Sequence, residues 1–305
     1  MRIPKPWLGA VAALCSFGAF PLGAQELEPG AYSVSPPGVN FLVLTNNFSG
    51  GDLTFDPALP VEDASATINT TIVAYVRSLS VFGRSANVGI IAPYSVGNVE
   101  GLYLGEHTEV HRSGFRDPVL RFAVNLHGAP AMDLKTFASY RQRTNVGLSL
   151  VTVLPLGEYD PTKLINLGSN RWAFKPEIGL SRAIRRWTVE FYGGVWLFTD
   201  NEDFYGGKTR EQDPIGSAQA HILYTFEPRL WVAFDANYYR GGRTTVDSRE
   251  NLDLQKNSRL GLTFSLPLSP RQSLKLAYST GARTSIGADF QALVVAYQYL
   301  WGGGL

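Results

Sequence analysis

The sequence predicts an all-β protein, an antiparallel transmembrane β-barrel of about twelve strands. Apolar and polar residues alternate in about twelve segments, most of about nine to thirteen residues, the length that a tilted strand needs to cross a bilayer. The connections between these segments sort into short and long ones, as in outer-membrane barrels. Large aliphatic and aromatic residues occupy one face of nearly every segment, and a soluble sandwich has no need of such a band.

The N-terminus has the layout of a secretory signal peptide. Two basic residues precede a mostly apolar run, Trp7–Leu22, and small residues follow at Gly23 and Ala24. Cleavage after Ala24 is therefore predicted, and a retained anchoring helix is disfavoured because the run is short for a membrane span. We divide the chain into a signal peptide, residues 1–24, and one barrel domain, residues 25–305.

The composition excludes several classes of function. The chain has 305 residues, with 27 Lys and Arg against 26 Asp and Glu, and this balance does not support a nucleic-acid partner. The only cysteine, Cys15, lies within the predicted signal peptide, so the mature chain would have no thiol for a disulfide, a thiolate metal site or catalysis. We expect no catalytic residues, no cofactor and no metal ion.

The predicted strands follow a Pro-rich lead, residues 25–38, and no linker divides them. Period-two alternation places successive side chains of a strand on opposite faces. The predicted strands lie near residues 39–45, 67–78, 86–96, 118–127, 144–154, 172–182, 187–199, 215–226, 230–239, 257–266, 273–281 and 289–301.

Short connections are predicted at the periplasmic end of the barrel and long ones at the extracellular end. The short connections are Leu79–Ser85, Ala183–Arg186, Glu227–Arg229 and Pro267–Gln272. The long connections are Asn46–Ala66, Gly97–Asp117, Pro155–Arg171, Asp200–Pro214 and Gly241–Lys256. Gly128–Arg143 breaks this rule, because it falls where a short turn is expected, and it has room for one helical turn.

The apolar face of the strands is predicted to contact lipid. Tyr and Trp near the strand ends suit the aromatic girdles of a membrane barrel, and the last strand ends in Tyr299 and Trp301, an ending of the kind that outer-membrane assembly machinery recognises. The predicted lipid-facing residues include Leu120, Phe122, Val124, Leu126, Val146, Leu148, Leu150, Leu260, Leu262, Phe264, Leu266, Leu274, Leu276, Tyr278, Leu293, Val295 and Tyr297.

The opposite, polar face is predicted to line the lumen. In the hairpin Gly216–Gly242, a three-residue turn with Phe226 opposite Leu230 would place His221 opposite Asp235 and Gln219 opposite Asn237. The same counting places Tyr192 beside His221 and Arg259 diagonal to Asp235. The predicted lumenal or ligand-contacting residues are Tyr192, Gln219, His221, Asp235, Asn237, Arg259, Lys175, Glu177, Glu190, Arg121, Lys275 and Arg283.

Two interpretations of this polar band stay open. It could form a constriction that contacts a ligand, or a structural network in which buried polar groups satisfy one another, and we favour the network. Basic residues on the predicted inner face outnumber acidic ones, so an open pathway would favour anionic or polar solutes. The basic residues are Arg77, Arg121, Lys175, Arg259, Lys275 and Arg283, and the acidic ones are Glu177, Glu190 and Asp235.

A metal site is considered and disfavoured. The segment Glu106–His111 carries two histidines at i, i+4 spacing but lacks the H-E-x-x-H order, and it falls in a predicted long loop. We interpret it as a solvated loop.

Several spans resemble a bacterial family named for a meta-pathway of phenol degradation, whose members are predicted outer-membrane transporters. The resemblance implies uptake of small compounds, and the family name suggests aromatic ones. The spans are Gly114–Pro118, Gly128–Ala131, Pro155–Tyr159, Asn170–Trp172 with Pro176–Glu177, Phe198–Thr199 with Asn201, Gln212–Pro214, Gln219 with His221 and Tyr224, Gly241–Gly242, Asn257 with Arg259 and Gly261, Asp289–Phe290 and Gln298–Tyr299.

The sequence therefore predicts a channel in the bacterial outer membrane, with its N-terminus in the periplasm and a narrow, partly plugged lumen. Its expected partners are outer-membrane lipid, the barrel-assembly machinery and a small solute. One alternative is a barrel-embedded lipid hydrolase or acyltransferase, which needs a Ser and a His at the lipid boundary; no G-x-S-x-G sequence is present. The other alternative is a closed structural barrel whose long loops bind a partner, and the sequence does not separate it from a channel.

Overall fold

The computed structural model describes residues 27–54, 61–103, 105–163 and 165–304, so the predicted signal peptide lies outside the described residues. Nearly all of the regular structure is β-strand. In chain order the elements are β1 (Val39–Thr54), β2 (Val61–Val81), β3 (Arg84–Tyr103), β4 (Glu106–Phe115), β5 (Val119–His127), α1 (Leu134–Ser139), β6 (Thr144–Val153), β7 (Ala173–Ile184), β8 (Trp187–Phe198), β9 (Asn201–Phe204), β10 (Lys208–Gln212), β11 (Ile215–Glu227), β12 (Leu230–Gly241), β13 (Thr244–Val246), β14 (Arg249–Glu250), β15 (Gln255–Ser269), β16 (Gln272–Arg283) and β17 (Gly287–Gly302).

Twelve of these strands form one closed antiparallel barrel. β1 pairs with β17 from Val39 opposite Gly302 to Thr54 opposite Gly287, which joins the two ends of the sheet. Closure satisfies the backbone of every barrel strand without water, as a bilayer requires. The barrel strands are β1, β2, β3, β5, β6, β7, β8, β11, β12, β15, β16 and β17, and each of them contains or overlaps one predicted segment. The predicted fold class is confirmed.

The outer surface of the barrel is apolar. The exposed outer side chains include Phe122, Leu148, Leu262 and Leu293. In each of these strands the residues next to them in sequence point inward. The predicted lipid face is therefore confirmed, because these side chains form a band around the wall that only lipid can cover favourably.

Arg77 was predicted to face the lumen, and this is wrong. In β2 the inward positions are Ile72, Ala74 and Val76, which are buried, so Arg77 shares the exposed outer face with Tyr75. It lies next to the periplasmic end of the strand, where its Nη1 donates a hydrogen bond to Asn40 Oδ1 (3.1 Å).

The periplasmic end is closed by tight turns. Four hairpins turn through two residues each, at Phe82–Gly83, Arg185–Arg186, Pro228–Arg229 and Pro270–Arg271. The fifth periplasmic connection contains α1, where the sequence left room for a helical turn. Phe137 of this helix belongs to an apolar cluster inside the barrel. Among the described residues, no helix has the length and apolarity needed to cross a membrane.

The turn of the central hairpin is one residue shorter than predicted. Glu227, not Phe226, pairs with Leu230, because the register shifts between Thr225 and Glu227. Such a bulge absorbs one residue next to the turn and leaves the pairing farther along the strands unchanged.

The extracellular end contains more strand than predicted. β4 pairs with the outer part of β3 from Tyr94 opposite Phe115 to Tyr103 opposite Glu106. Glu106–His111 is therefore an exposed strand and not a loop. Two further predicted loops, Asp200–Pro214 and Gly241–Lys256, each contain a hairpin, and these hairpins together form a second, four-stranded sheet from β9, β10, β13 and β14. These strands are short and polar on both faces, so they carry little alternation.

The chain before β1 lies inside the barrel. We call residues 27–38 the lumenal segment; from Glu28 to Pro36 every residue is buried. Gly38 N donates to Ser78 O (2.9 Å) near the periplasmic end, and the chain before it runs up into the lumen. β1 begins at the periplasmic end, and residues 27–38 before it lie inside the barrel; the predicted N-terminus itself lies outside the described residues. The interior has polar groups that bind this segment.

Candidate functional site

The predicted polar pairs of the central hairpin are present in the lumen. His221 lies opposite Asp235 and Gln219 lies opposite Asn237, which confirms the predicted register. His221 Nδ1 is 2.7 Å from Asp235 Oδ1, and Thr263 Oγ1 donates to Asp235 Oδ2 at 2.7 Å. His221 and Asp235 are buried almost completely.

On the neighbouring strands β8 and β15, one predicted position differs from the structure and one agrees with it. Glu190, rather than Tyr192, lies opposite His221, and Tyr192 pairs with Gln219. The rings of Tyr192 and His221 are nevertheless in contact, with centroids 5.1 Å apart. Arg259 lies opposite Asn237 and is therefore diagonal to Asp235, as predicted.

Lys175 and Glu177 form a buried ion pair in the lumen, with 2.7 Å between Nζ and Oε2. They are two residues apart on β7 and share its inner face. Arg121 also points inward and is buried, and its guanidinium lies 5.7 Å from the centroid of the Tyr32 ring. Glu177 and Arg121 thus lie against Tyr32 of the lumenal segment, and Lys175 is paired with Glu177 beside them.

Tyr32 anchors the lumenal segment between two glycines of the wall. Gly147 and Gly179 lie opposite each other on β6 and β7, and a Cβ atom built on either one would lie about 2 Å from the Tyr32 ring. The Tyr32 hydroxyl bonds to Ser149 Oγ (2.9 Å) and donates to Glu177 Oε1 (3.1 Å). Only glycine leaves room for an aromatic ring so close to the strand backbone.

Three other predicted lumenal residues bind the backbone of the lumenal segment. Glu190 Oε2 accepts from Gly30 N (2.7 Å), the Tyr192 hydroxyl accepts from Ala31 N (3.3 Å), and Gln219 Oε1 accepts from Glu28 N (3.2 Å). Backbone groups buried in a lumen need such partners. The polar band thus holds a piece of the same chain, a role that the sequence did not reveal.

Lys275 and Arg283 occupy different environments. Lys275 is half-buried and lines a small lumenal cavity of about 70 Å³ together with Leu27, Asp235 and Arg259. Arg283 is exposed at the extracellular end of β16, so its predicted lumenal position is wrong. The register of β15 shifts between Ser258 and Arg259, beside the end of β16, and inward alternation does not hold at the rim.

These corrections remove the predicted excess of positive charge from the lumen. Arg77 and Arg283 do not face it, and the lumenal segment adds the buried carboxylate of Glu28. The remaining basic residues, Arg121, Lys175, Arg259 and Lys275, are matched in number by the acidic residues Glu28, Glu177, Glu190 and Asp235.

A larger cavity opens at the extracellular end of the barrel. We call it the extracellular cavity; its volume is about 300 Å³, and connections and strand ends around the barrel mouth contribute to it. Its lining combines three arginines with aromatic and amide side chains. The lining residues are Pro93, Arg116, Asp117, Val119, Val153, Tyr159, Asn166, Gly168, Ser169, Arg171, Ala173, Trp196, Phe198, Asn201, Phe204, Arg210, Gln212, Ile215 and Gln255.

The three arginines give this cavity its charge. The Arg171 guanidinium lies 4.5 Å from the centroid of Phe198, and that of Arg210 lies 5.2 Å from the centroid of Phe204. Burial lowers the pKa of Arg171 to about 9 and that of Arg116 to about 10. Both values stay above neutral pH, so both side chains are cations in the surrounding medium.

Asp117 is the acidic residue of the lining, and its carboxylate is already engaged by the loop. Oδ1 accepts from Gly157 N (2.9 Å), and Oδ2 accepts from Ser169 N (2.7 Å) and Ser169 Oγ (2.6 Å). Within the described residues, none of the three cavity arginines has a carboxylate within ion-pair distance. Asp117, Asp200 and Asp253 act on these arginines only at longer range. With three arginines and one aspartate, the lining carries net positive charge.

The prediction of lumenal residues did not include this cavity. A signal was present, because Arg116, Asp117, Arg171, Phe198 and Gln212 all belong to the spans that carry the family resemblance. Those spans are far apart in the sequence and come together only in the folded barrel. Arg210 and Tyr32 lie outside these spans, and no pattern singled them out.

A closed barrel with an apolar outer wall and a polar lumen defines an outer-membrane β-barrel protein. Residues 45–294 match the model of the family described as "Putative MetA-pathway of phenol degradation". The chain belongs to this family, as the resemblance implied.

The fold also resembles solved structures. One is the COG4313 outer membrane channel from Pseudomonas putida F1, with a TM-score of 0.77, 20% identity and coverage of 90% of this chain and 100% of that chain. Another is the β domain of the Bordetella autotransporter BrkA, with a TM-score of 0.50, 12% identity and coverage of 87% and 100%. No curated protein sequence matches the chain.

Proposed function

We propose that this protein is an outer-membrane channel for the uptake of small compounds. The observation that carries the proposal is the width of the lumen. It holds the backbone of the lumenal segment in addition to the side chains of the wall. The family match and the fold shared with the P. putida outer membrane channel support it.

The extracellular cavity and the polar band of the lumen lie next to each other at Trp196 of β8. Trp196 lines the cavity, and Lys175 Nζ, inside the lumen, lies 5.7 Å from the centroid of its ring. A solute in the cavity would therefore reach the polar band next. The residual lumenal cavity of about 70 Å³ holds only a few waters, since a water occupies about 30 Å³ of the liquid. Passage of a solute thus requires the lumenal segment to shift.

The contacts of the lumenal segment suit such a shift. It is held mainly by side chains of the wall, Glu177, Glu190, Tyr192 and Gln219, and by the packing of Tyr32. We propose that these residues retain the segment, while Asp235, Arg259 and Lys275 line the path beside it. His221, Asn237, Lys175 and Arg121 complete the polar wall.

We also propose that the protein is not an enzyme. Catalysis by His221 and Asp235 would need a nucleophile next to the imidazole. Thr263 bonds to Asp235 instead, and among the described residues His221 Nε2 has no hydrogen-bond partner. The histidine is also buried in the lumen and does not reach the lipid boundary, where a membrane hydrolase needs it.

Solute flux into liposomes tests the proposal, with Gly179→Ala as the variant. The added methyl group would collide with the Tyr32 ring and displace the lumenal segment, so we expect flux of a small sugar or amino acid to rise several-fold. Gly193→Ala, on the adjacent strand β8, is the matched control, because a Cβ there meets no atom within 4 Å.

Heat-modifiable migration on a gel verifies that each variant is a folded barrel. If folded wild-type protein and folded Gly179→Ala both give no flux above empty liposomes, the channel proposal fails, and a closed structural barrel is favoured. Equal flux through the Gly179→Ala and Gly193→Ala variants would show that the lumenal segment does not limit passage.

A further inference from the structure

We propose that the extracellular cavity is a binding site for a small aromatic carboxylate, whose carboxylate is bound by Arg171 and whose ring lies against the aromatic side chains of the cavity. This inference names the solute class of the proposed channel and rests on that function for its role. Binding itself can be measured without transport.

The charge of the cavity selects an anion. Arg116, Arg171 and Arg210 all line it, and Asp117 is occupied by backbone and hydroxyl donors of the loop. Arg171 and Arg210 line the same cavity, so their like charges repel each other there. Burial lowers the pKa of Arg171, and the positive charge of Arg210 lowers it further. An anion between them would relieve this repulsion.

The cavity also contains hydrogen-bond donors without acceptors. Among the described residues, Arg171 Nη1 and Trp196 Nε1 are both buried and have no hydrogen-bond partner. Both residues line the cavity. A buried donor costs free energy until it is paired, and both orphaned groups are donors. A ligand that only accepts, such as a carboxylate, matches them.

Aromatic and aliphatic walls select a planar ring next to this charge. Phe198 is close to both Arg171 and Trp196, and its ring is nearly parallel to the indole (11°, centroids 6.5 Å apart). Val119 and Ile215, both buried, add apolar surface. A volume of about 300 Å³ is at the lower limit of small-molecule pockets, so it suits a compound with a single ring.

The site is held in position before a ligand binds. Arg171 Nη2 donates to Gln212 Oε1, and Gln212 Nε2 donates to Gly242 O (2.8 Å). Asn201 Nδ2 donates to Ser169 O (3.2 Å), which joins β9 to the loop that precedes Arg171. Such contacts reduce the conformational freedom that a ligand would otherwise have to remove.

Isothermal titration calorimetry of the purified full-length protein in detergent micelles tests the inference with three probes. Benzoate has both the ring and the charge, benzyl alcohol has the ring alone, and acetate has the charge alone. We expect benzoate to bind at least about tenfold more tightly than either of the others, because only benzoate uses both the arginine and the aromatic walls.

Arg171→Gln should weaken benzoate binding by about 10- to 100-fold, the usual loss for a hydrogen bond to a charged partner. Arg171→Lys keeps the charge but not the planar fork, and we expect an intermediate loss. Arg243→Gln is the matched control, since Arg243 is also an extracellular arginine but does not line the cavity. Its benzoate affinity should equal that of the wild type.

Several outcomes would overturn the inference. Equal affinity for benzoate and acetate would mean a general anion site, and equal affinity for benzoate and benzyl alcohol would mean an apolar pocket. Folded Arg171→Gln protein that binds benzoate as the wild type does would place the ligand elsewhere. Benzoate flux into liposomes separates the two proposals: binding without flux contradicts the channel and keeps the site, whereas flux without saturable binding contradicts the site and keeps the channel.

Discussion

The lumen and the extracellular cavity hold charged residues in opposite ways. In the lumen, Lys175 lies 2.7 Å from Glu177, and the Glu190 carboxylate accepts hydrogen bonds from Gly30 N, Ser181 Oγ and the Tyr192 hydroxyl. In the extracellular cavity, Arg171 and its two neighbouring arginines have no carboxylate within ion-pair distance among the described residues. The lumen pairs its charged groups with one another, whereas the extracellular cavity leaves its arginines available to a ligand.

The difference follows from access to water. Burying a charge inside the barrel destabilises the fold by about several kcal/mol unless a counter-charge or hydrogen bonds compensate it. A charge at the open mouth keeps part of its hydration and can remain without a partner. Charged residues of the lumen therefore stabilise the fold and retain the lumenal segment, whereas those of the mouth can be used for binding.

Glu177→Ala should have the largest effect on stability. Its carboxylate neutralises Lys175 and accepts hydrogen bonds from Tyr32 and Gln219, so we expect the free energy of unfolding to fall by about 3–5 kcal/mol. Urea unfolding in lipid vesicles measures this loss. The control is Glu250→Ala, because Glu250 pairs with Arg243 where the side chains are 61% and 34% exposed; it should cost at most about 1 kcal/mol. Equal losses would contradict the division.

Asp235→Ala should have an intermediate effect on stability. The variant removes the acceptor for both His221 Nδ1 and Thr263 Oγ1 in a buried site, and we expect a loss of about 2 kcal/mol in the same unfolding measurement. Thr263→Val removes only one of these hydrogen bonds and should cost about half as much. If Asp235→Ala is no more destabilising than Thr263→Val, the His221–Asp235 contact adds nothing to the lumen.

Arg210→Gln should have the smallest effect on stability, within about 1 kcal/mol, because among the described residues no carboxylate lies within ion-pair distance of Arg210 and Asp253 acts on it only at longer range. It should change the pH dependence of benzoate binding instead. In the wild type, affinity should fall at alkaline pH, because burial and the charge of Arg210 both lower the pKa of Arg171. The charge of Arg210 lowers the pKa of Arg171, so its removal should move this fall to higher pH. Calorimetric titration of both proteins with benzoate between roughly pH 7 and pH 11 checks the direction of this shift. If the pH dependence of affinity is the same in Arg210→Gln as in the wild type, the two arginines do not interact.

The predicted strands and the lipid face agree with the structure because both depend on neighbouring residues. Alternation along β15, for example, places Leu260, Leu262 and Phe264 outside without any knowledge of the adjacent strands. The His221–Asp235 pair was also predictable, since a tight hairpin turn fixes the register of the strands that it joins.

Predictions failed where the register or the strand end could not be counted locally. Tyr192 pairs with Gln219 and not with His221, because the register of β8 and β11 was counted across a long connection, which does not fix it. Arg283 was misplaced at the rim, where β15 is irregular, and Arg77 lies on the outer face. The expected excess of positive charge in the lumen counted Arg77 and Arg283 and left out Glu28 of the lumenal segment, and it is wrong for these two reasons.

The sequence by itself determined the class of the protein, the strands of the barrel and the two faces of each strand, because period-two alternation is a local property of the chain. Only the tertiary structure decided what fills the barrel and where its charge is available. Tyr32 of the lumenal segment packs against Gly147 and Gly179. In the extracellular cavity, Arg171 contacts Gln212 and Phe198. These residues are distant in sequence, and they meet because closure of the sheet brings their strands around one interior.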